Sequence, residues 1–79
     1  MRKVFSRLPH LMVEKSPKLT QRKLAEELGL SHTTINKLYN GQPLKARVDP
    51  EVIGTVCNYF ECDVGDLLTM KEVDYEANN

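Results

Sequence analysis

Apolar residues recur every three or four positions over most of the chain, the spacing of a helix with one buried face. Leu8, Leu11 and Met12 predict a first helix with Ser6 as its N-cap, broken by Ser16-Pro17-Lys18. Thr20 caps a second helix that turns Leu24, Ala25 and Leu28 inward and stops at Gly29. Ser31 caps a third, with Ile35 and Leu38 inward and Asn40-Gly41 at its end. Gln42-Pro43 opens an extended loop running through Arg47. Asp49-Pro50 then starts a fourth helix whose apolar face is Val52, Ile53, Val56, Cys57 and Phe60. Asp63-Val64-Gly65-Asp66 predicts a short capped fifth helix carrying Leu67 and Leu68 into the core. The fold class expected is all-α, a compact five-helix domain over residues 1–70 with a fraying acidic tail over 71–79. One alternative for the end is a short strand over 69–73 pairing with 3–5.

The informative stretch runs from Gln21 to Gly41. Ala25 is small where two helices joined at a steep angle must approach closely. Gly29 supplies the left-handed turn that a β-carbon disfavours. Leu30, Ile35 and Leu38 seat the next helix against the first. With Ile35 and Leu38 defining the inward direction, 100° per residue points Thr33, Asn36, Lys37 and Asn40 outward. His32, Thr34 and Tyr39 fall on the flanks. The outward set has no apolar member and matches base edges chemically. Lys37 can donate to guanine O6 and N7, Asn36 can pair bidentately with adenine, and Thr33 can meet thymine.

This motif, QRKLAEELGLSHTTINKLYNG, resembles the Cro and phage-lambda-repressor type of helix-turn-helix regulator. The likeness extends more loosely over residues 6–68, including the ending Glu61-Cys62-Asp63-Val64-Gly65-Asp66-Leu67-Leu68. It implies a lambda-repressor-like DNA-binding domain with base contacts at His32, Thr33 and Lys37 and a backbone contact at Gln21. The chain departs from that pattern in two places. Glu14 and Tyr39 stand where the family often pairs a first-helix arginine with a glutamate late in the third helix. The loop 42–48 is also longer than usual.

The first turn of the second helix is Gln21-Arg22-Lys23, although a helix N-terminus prefers acids. Two cations there make sense if a phosphate docks on the free backbone N–H groups. Thr34, Asn40, Lys45 and Arg47 are further phosphate candidates, so His32, Thr33, Asn36 and Lys37 remain as the base-reading set.

Charge first argues against this picture and then for it. The chain has 79 residues, 11 Lys and Arg against 11 Asp and Glu, and a formal net charge of +0. Residues 1–47 carry ten bases and three acids, giving +7; residues 48–79 carry one base and eight acids, giving −7. A neutral total therefore hides a basic half suited to a polyanion and an acidic half suited to solvent or a partner.

The remaining chemistry is sparse. Cys57 and Cys62 are too few for a disulfide scaffold, and the basic N-terminus is followed by too short an apolar run for a secretory leader. Cytoplasmic localisation and reduced, helix-buried cysteines are the expectation. With His10 and His32 far apart and no second close cysteine pair, no metal site is expected. No cofactor is implied. The chain has no glycine-rich phosphate loop and no nucleophile–base pair, so an enzyme is not expected. The function expected is a sequence-specific double-stranded DNA regulator, a repressor working as a homodimer. The alternative is an antitoxin-like or accessory module whose acidic half binds a basic partner protein. Dimerisation is expected through the fourth and fifth helices, with a contribution from Val4-Phe5; Cys57, Tyr59 and Phe60 serve core or dimer packing.

Overall fold

The computed structural model describes residues 1–44 and 47–73. In chain order the elements are β1 (Arg2–Ser6), α1 (Leu8–Lys15), α2 (Gln21–Leu28), α3 (His32–Tyr39), α4 (Pro50–Phe60), α5 (Val64–Leu67) and β2 (Leu68–Glu72). The five helices stand at the expected places. The all-α class needs correction, because β1 and β2 form a two-stranded antiparallel sheet. Its register pairs Arg2 with Glu72, Val4 with Met70 and Ser6 with Leu68. The strand alternative thus describes the molecule, and β2 runs two residues past the point where the tail was expected to begin. The remainder of that tail, residues 74–79, lies outside the described residues.

Local chemistry sets most helix ends. Thr20 Oγ1 accepts from Lys23 N at 3.1 Å, Ser31 Oγ from Thr34 N at 3.1 Å, and Asp49 Oδ1 from Glu51 N at 2.9 Å. Asp63 N donates back to Asp66 Oδ2 at 3.0 Å at the start of α5. The cap of α1 differs from expectation. Arg7 occupies the cap position without a side-chain capping bond, while Ser6 Oγ accepts from Leu8 N at 3.1 Å from one residue further back. β1 holds Ser6 in the sheet, so the chain needs one more residue to turn into the helix.

Gly29 ends α2 with φ +68°. A β-carbon there would meet nothing within 4 Å, so a side chain would strain only the backbone. Gly29→Ala is expected to cost about 1–2 kcal/mol in a denaturant titration, and Gly29→Asn clearly less. Glu61 closes α4 with φ +52°, a left-handed turn made without glycine. Its N–H and that of Cys62 return to the last carbonyls of α4, with Cys62 N on Cys57 O at 3.0 Å.

The core draws on every helix. Leu8 from α1, Leu24 from α2, Ile35 and Leu38 from α3, Val56 from α4 and Leu67 from α5 are all fully buried. Ala25 is buried where α2 and α3 pack together, as its size requires. The apolar face of α4 is taken up by this core. Val56 and Cys57 are buried within it, and Val52, Ile53 and Phe60 pack against it half-buried. Cys62 lies beyond the end of α4, so only Cys57 is a helix cysteine. Burial and the neighbouring Cys57 push the Cys62 thiol above its ordinary range, which keeps it a packing group.

Candidate nucleic-acid interface

The hydrophobic faces of α2 and α3 decide what remains outside. Burying Ile35 and Leu38 in α3 leaves His32, Thr33, Asn36 and Lys37 exposed along one side of the helix. Thr34 and Tyr39 are half-buried on the flanks, and Tyr39 packs against the core. The four base-reading candidates therefore lie together on a polar helix face with no apolar side chain among them.

The flanking phosphate candidates divide by what already occupies them. The Thr34 hydroxyl lies 2.8 Å from Ser31 Oγ, so one of its hydrogen-bonding positions is used within the cap. Asn40 Oδ1 accepts from Gln42 N at 3.0 Å, which fixes the side chain and leaves its amide N–H groups to donate outward. At the start of α2, Thr20 satisfies Lys23 N, while the N–H groups of Gln21 and Arg22 keep no partner within the helix. Arg22 and Lys23 are exposed beside them, and Arg47 is exposed after the loop. Gln21 is half-buried, and its Oε1 is enclosed without a hydrogen-bond partner among the described residues. Lys45 lies outside the described residues.

Electrostatics leave this surface available. Among the described residues the ion pairs are the N-terminal amine with Glu72 at 2.6 Å, and His10 with Glu14 at 3.3 Å. Neither involves Arg22, Lys23, Lys37 or Arg47, so these cations are not neutralised within that set. Glu14 faces His10 on its own helix.

A different tie holds the helices. Tyr59 of α4 donates its hydroxyl to Glu27 Oε2 of α2 at 2.6 Å, and Lys15 of α1 places Nζ 4.8 Å from the Tyr59 ring centroid. Sequence reasoning assigned Tyr59 to packing and missed this contact, because only the helix crossing brings positions 27 and 59 together. Lys15, Lys18 and Lys23 line a shallow groove with Glu27 and Tyr59, adding two lysines to the basic flank of α2 that the motif did not single out. The hydrogen bond to Glu27, with burial and the carboxylate charge, raises the Tyr59 pKa above 10.0. A folded-state pKa above the unfolded one gives stability that is full below pH ~10 and lost as pH rises through the folded value. Tyr59→Phe is expected to lose up to about 1 kcal/mol at pH 7 in a denaturant titration. The gap between the two proteins should close as the pH is raised past 10, rather than stay constant.

The chain matches the family model for the Cro/C1-type helix-turn-helix DNA-binding domain over residues 7–72. No curated protein matches it, and no solved structure does. No helix among the described residues is long and apolar enough to cross a membrane. The family match spans all five helices and β2, so the α2–α3 motif sits inside a domain of the kind its residues imply. This chain belongs to the Cro/C1-type helix-turn-helix DNA-binding family.

Proposed function

We propose that the protein is a sequence-specific regulator of transcription that reads the major groove with α3 and represses by occupying its operator. The observation that carries this reading is the exposed row His32, Thr33, Asn36 and Lys37, beside the unpartnered N–H groups that open α2. The first group offers donors and acceptors at base edges, and the second takes the backbone phosphate that sets the register. Gln21, Arg22, Lys23, Thr34, Asn40, Lys45 and Arg47 hold the two strands' phosphates. Two copies bind two half-sites about one helical turn apart, roughly 34 Å for helix-turn-helix dimers in general. Repression needs no further surface, since a bound copy excludes polymerase from overlapping DNA.

Selection from a randomised duplex pool tests the reading. Successive rounds should enrich a two-part motif, and a run-off transcription assay on a promoter carrying it should lose product as protein is added. A pool that stays random after selection would refute sequence reading. Enrichment with increased transcript would keep the reader and reverse the sign of regulation.

A further inference from the structure

The turn that ends α4 holds the chain's two cysteines, on elements that the DNA reading does not use. Glu61, with φ +52°, folds the backbone over so that two hydrogen bonds close the helix. Glu61 N donates to Asn58 O at 3.3 Å, and Cys62 N donates to Cys57 O at 3.0 Å. This pair of bonds defines a left-handed helix end that brings the side chains of its outer residues, here Cys57 and Cys62, into contact. Cys62 packs against the core cluster that contains Cys57, and both thiols are free. Cys57 is also close enough to raise the pKa of the Cys62 thiol.

Covalent geometry bounds the separation. A carbonyl oxygen lies about 2.4 Å from its own Cα and an amide nitrogen about 1.5 Å from its own. The 3.0 Å bond therefore keeps the two Cα atoms within about 7 Å at full stretch, and closer in a folded turn. Disulfides usually span about 4.4–6.8 Å between Cα atoms, and beyond about 7 Å the backbone must move. The pair lies on the permitted side of that bound.

Solvent reaches the pair through a groove of about 340 Å³ that Cys57 and Cys62 share with Asn58, Glu61, Asp63 and Asp66. That is the small end of ligand-sized clefts, which run from roughly 300 to 1,000 Å³. Cys57 is buried and Cys62 half-buried, so Cys62 meets a reagent first. Three carboxylates and no cation line the groove. Arg7 reaches the Asp66 carbonyl, at 3.4 Å, from outside that lining. Such walls attract a small cation and repel an anion.

We propose that Cys57 and Cys62 are a thiol–disulfide exchange pair, which small cationic disulfides oxidise to an intrachain disulfide. The Cys62 thiolate attacks one sulfur of the small disulfide, whose S–S bond breaks. The departing thiolate takes up a proton, equal to the one Cys62 released. The Cys57 thiol then loses its proton, attacks the Cys62 sulfur of the mixed disulfide and expels the second small thiolate, which is protonated in turn. Two protein thiols are oxidised to one disulfide, and one small disulfide is reduced to two thiols. Burial disfavours the Cys62 thiolate, so the exchange draws on a small ionised fraction and takes minutes to hours. In the reduced chain both cysteines remain packing groups. The new bond ties the end of α4 to the segment leading into α5 through a turn already formed, so the fold is kept.

The reduced full chain, treated with the cationic disulfide cystamine or with anionic oxidised glutathione, tests this by intact mass, peptide mapping and free-thiol count. Both thiols should disappear together, leaving a monomeric chain two hydrogens lighter, with Cys57 linked to Cys62 and no adduct retained. Helical circular dichroism should not change. At low salt cystamine should react at least about threefold faster than oxidised glutathione, and added salt should narrow the gap. Cys57→Ala and Cys57→Ser remove the second sulfur, so either variant that stays folded should keep the small-molecule adduct on Cys62. Cys62→Ala should leave Cys57 at least about tenfold slower to react than Cys62 in the intact pair. The wild-type results stand even if both Cys57 variants unfold. A wild-type chain that retains an adduct, links to a second chain, loses helix on oxidation or reacts only in urea would overturn the proposal. Equal rates with the two disulfides at low salt would do the same.

Discussion

Truncating Leu38 to alanine should cost about 2–5 kcal/mol and unseat the recognition helix. Leu38 is fully buried in the core that Leu8, Leu24, Val56 and Leu67 share. The substitution removes three heavy atoms from a site surrounded by other helices, so the loss combines transfer free energy with a cavity term. A chain of 79 residues starts with a small reserve. At about 4–8 °C per kcal/mol, the thermal midpoint should fall by roughly 10–40 °C. Leu38→Met keeps the volume and should cost less than about 1.5 kcal/mol. Because Leu38 faces inward and Lys37 outward, Leu38→Ala should weaken every DNA sequence alike, through the folded fraction. Restoring the fold at low temperature should recover much of the affinity, and melting curves with binding at two temperatures would check both.

The second large effect separates the two kinds of DNA contact. Lys37→Ala should lose about 1–3 kcal/mol at one base position and leave discrimination elsewhere intact. Arg22→Ala should lower affinity for selected and scrambled duplexes by the same factor, and reduce the slope of log K against log salt by about 1 per copy. The asymmetry follows from position. Lys37 is exposed on the polar face of α3, whereas Arg22 stands at the N-terminus of α2, where backbone N–H groups are open. Equal loss of discrimination from both substitutions would contradict the division into reading and anchoring residues. Binding measured on a panel of single-base operator variants distinguishes the cases.

The parts legible in the sequence are those fixed by local chemistry. Thr20, Ser31 and Asp49 act as caps because each needs only a backbone N–H two or three residues ahead. Gly29 needs only its own φ. The exposed set on α3 follows from helical period once Ile35 and Leu38 are taken as buried. What depended on distant partners was harder to read. The β1–β2 sheet joins positions some seventy residues apart, such as Arg2 and Glu72, and neither strand shows a strong alternation on its own. That sheet is what turns an all-α expectation into five helices with a small sheet. The displaced cap of α1 is a consequence of it, since Ser6 belongs to β1. The Lys15–Tyr59–Glu27 contact was hidden for the same reason: three residues on three helices meet only after the helices cross. Cys62 falls outside the helix because Glu61 turns left-handed, and nothing local in the sequence announces that turn.

The neutral composition takes on a meaning from the same geometry. The basic residues around α2 and α3 are exposed and, among the described residues, not drawn into ion pairs. The acids concentrate in the second half, from Asp49 onward. Such a molecule carries a local field toward DNA with little overall attraction to it, which favours selective over indiscriminate binding.

The central claim is that α3 reads sequence while cations at the start of α2 and in the loop after α3 hold phosphate. Titrating the full chain onto its selected duplex and onto a scrambled duplex, over a range of salt concentrations, tests this most directly. Two copies using Arg22, Lys23, Lys45 and Arg47 would neutralise about eight phosphates, for a slope of log K against log salt near −7. The account expects that slope for the selected duplex, with a preference over the scrambled one of at least about 1,000-fold. Equal affinity for both duplexes, or affinity unmoved by salt, would contradict it.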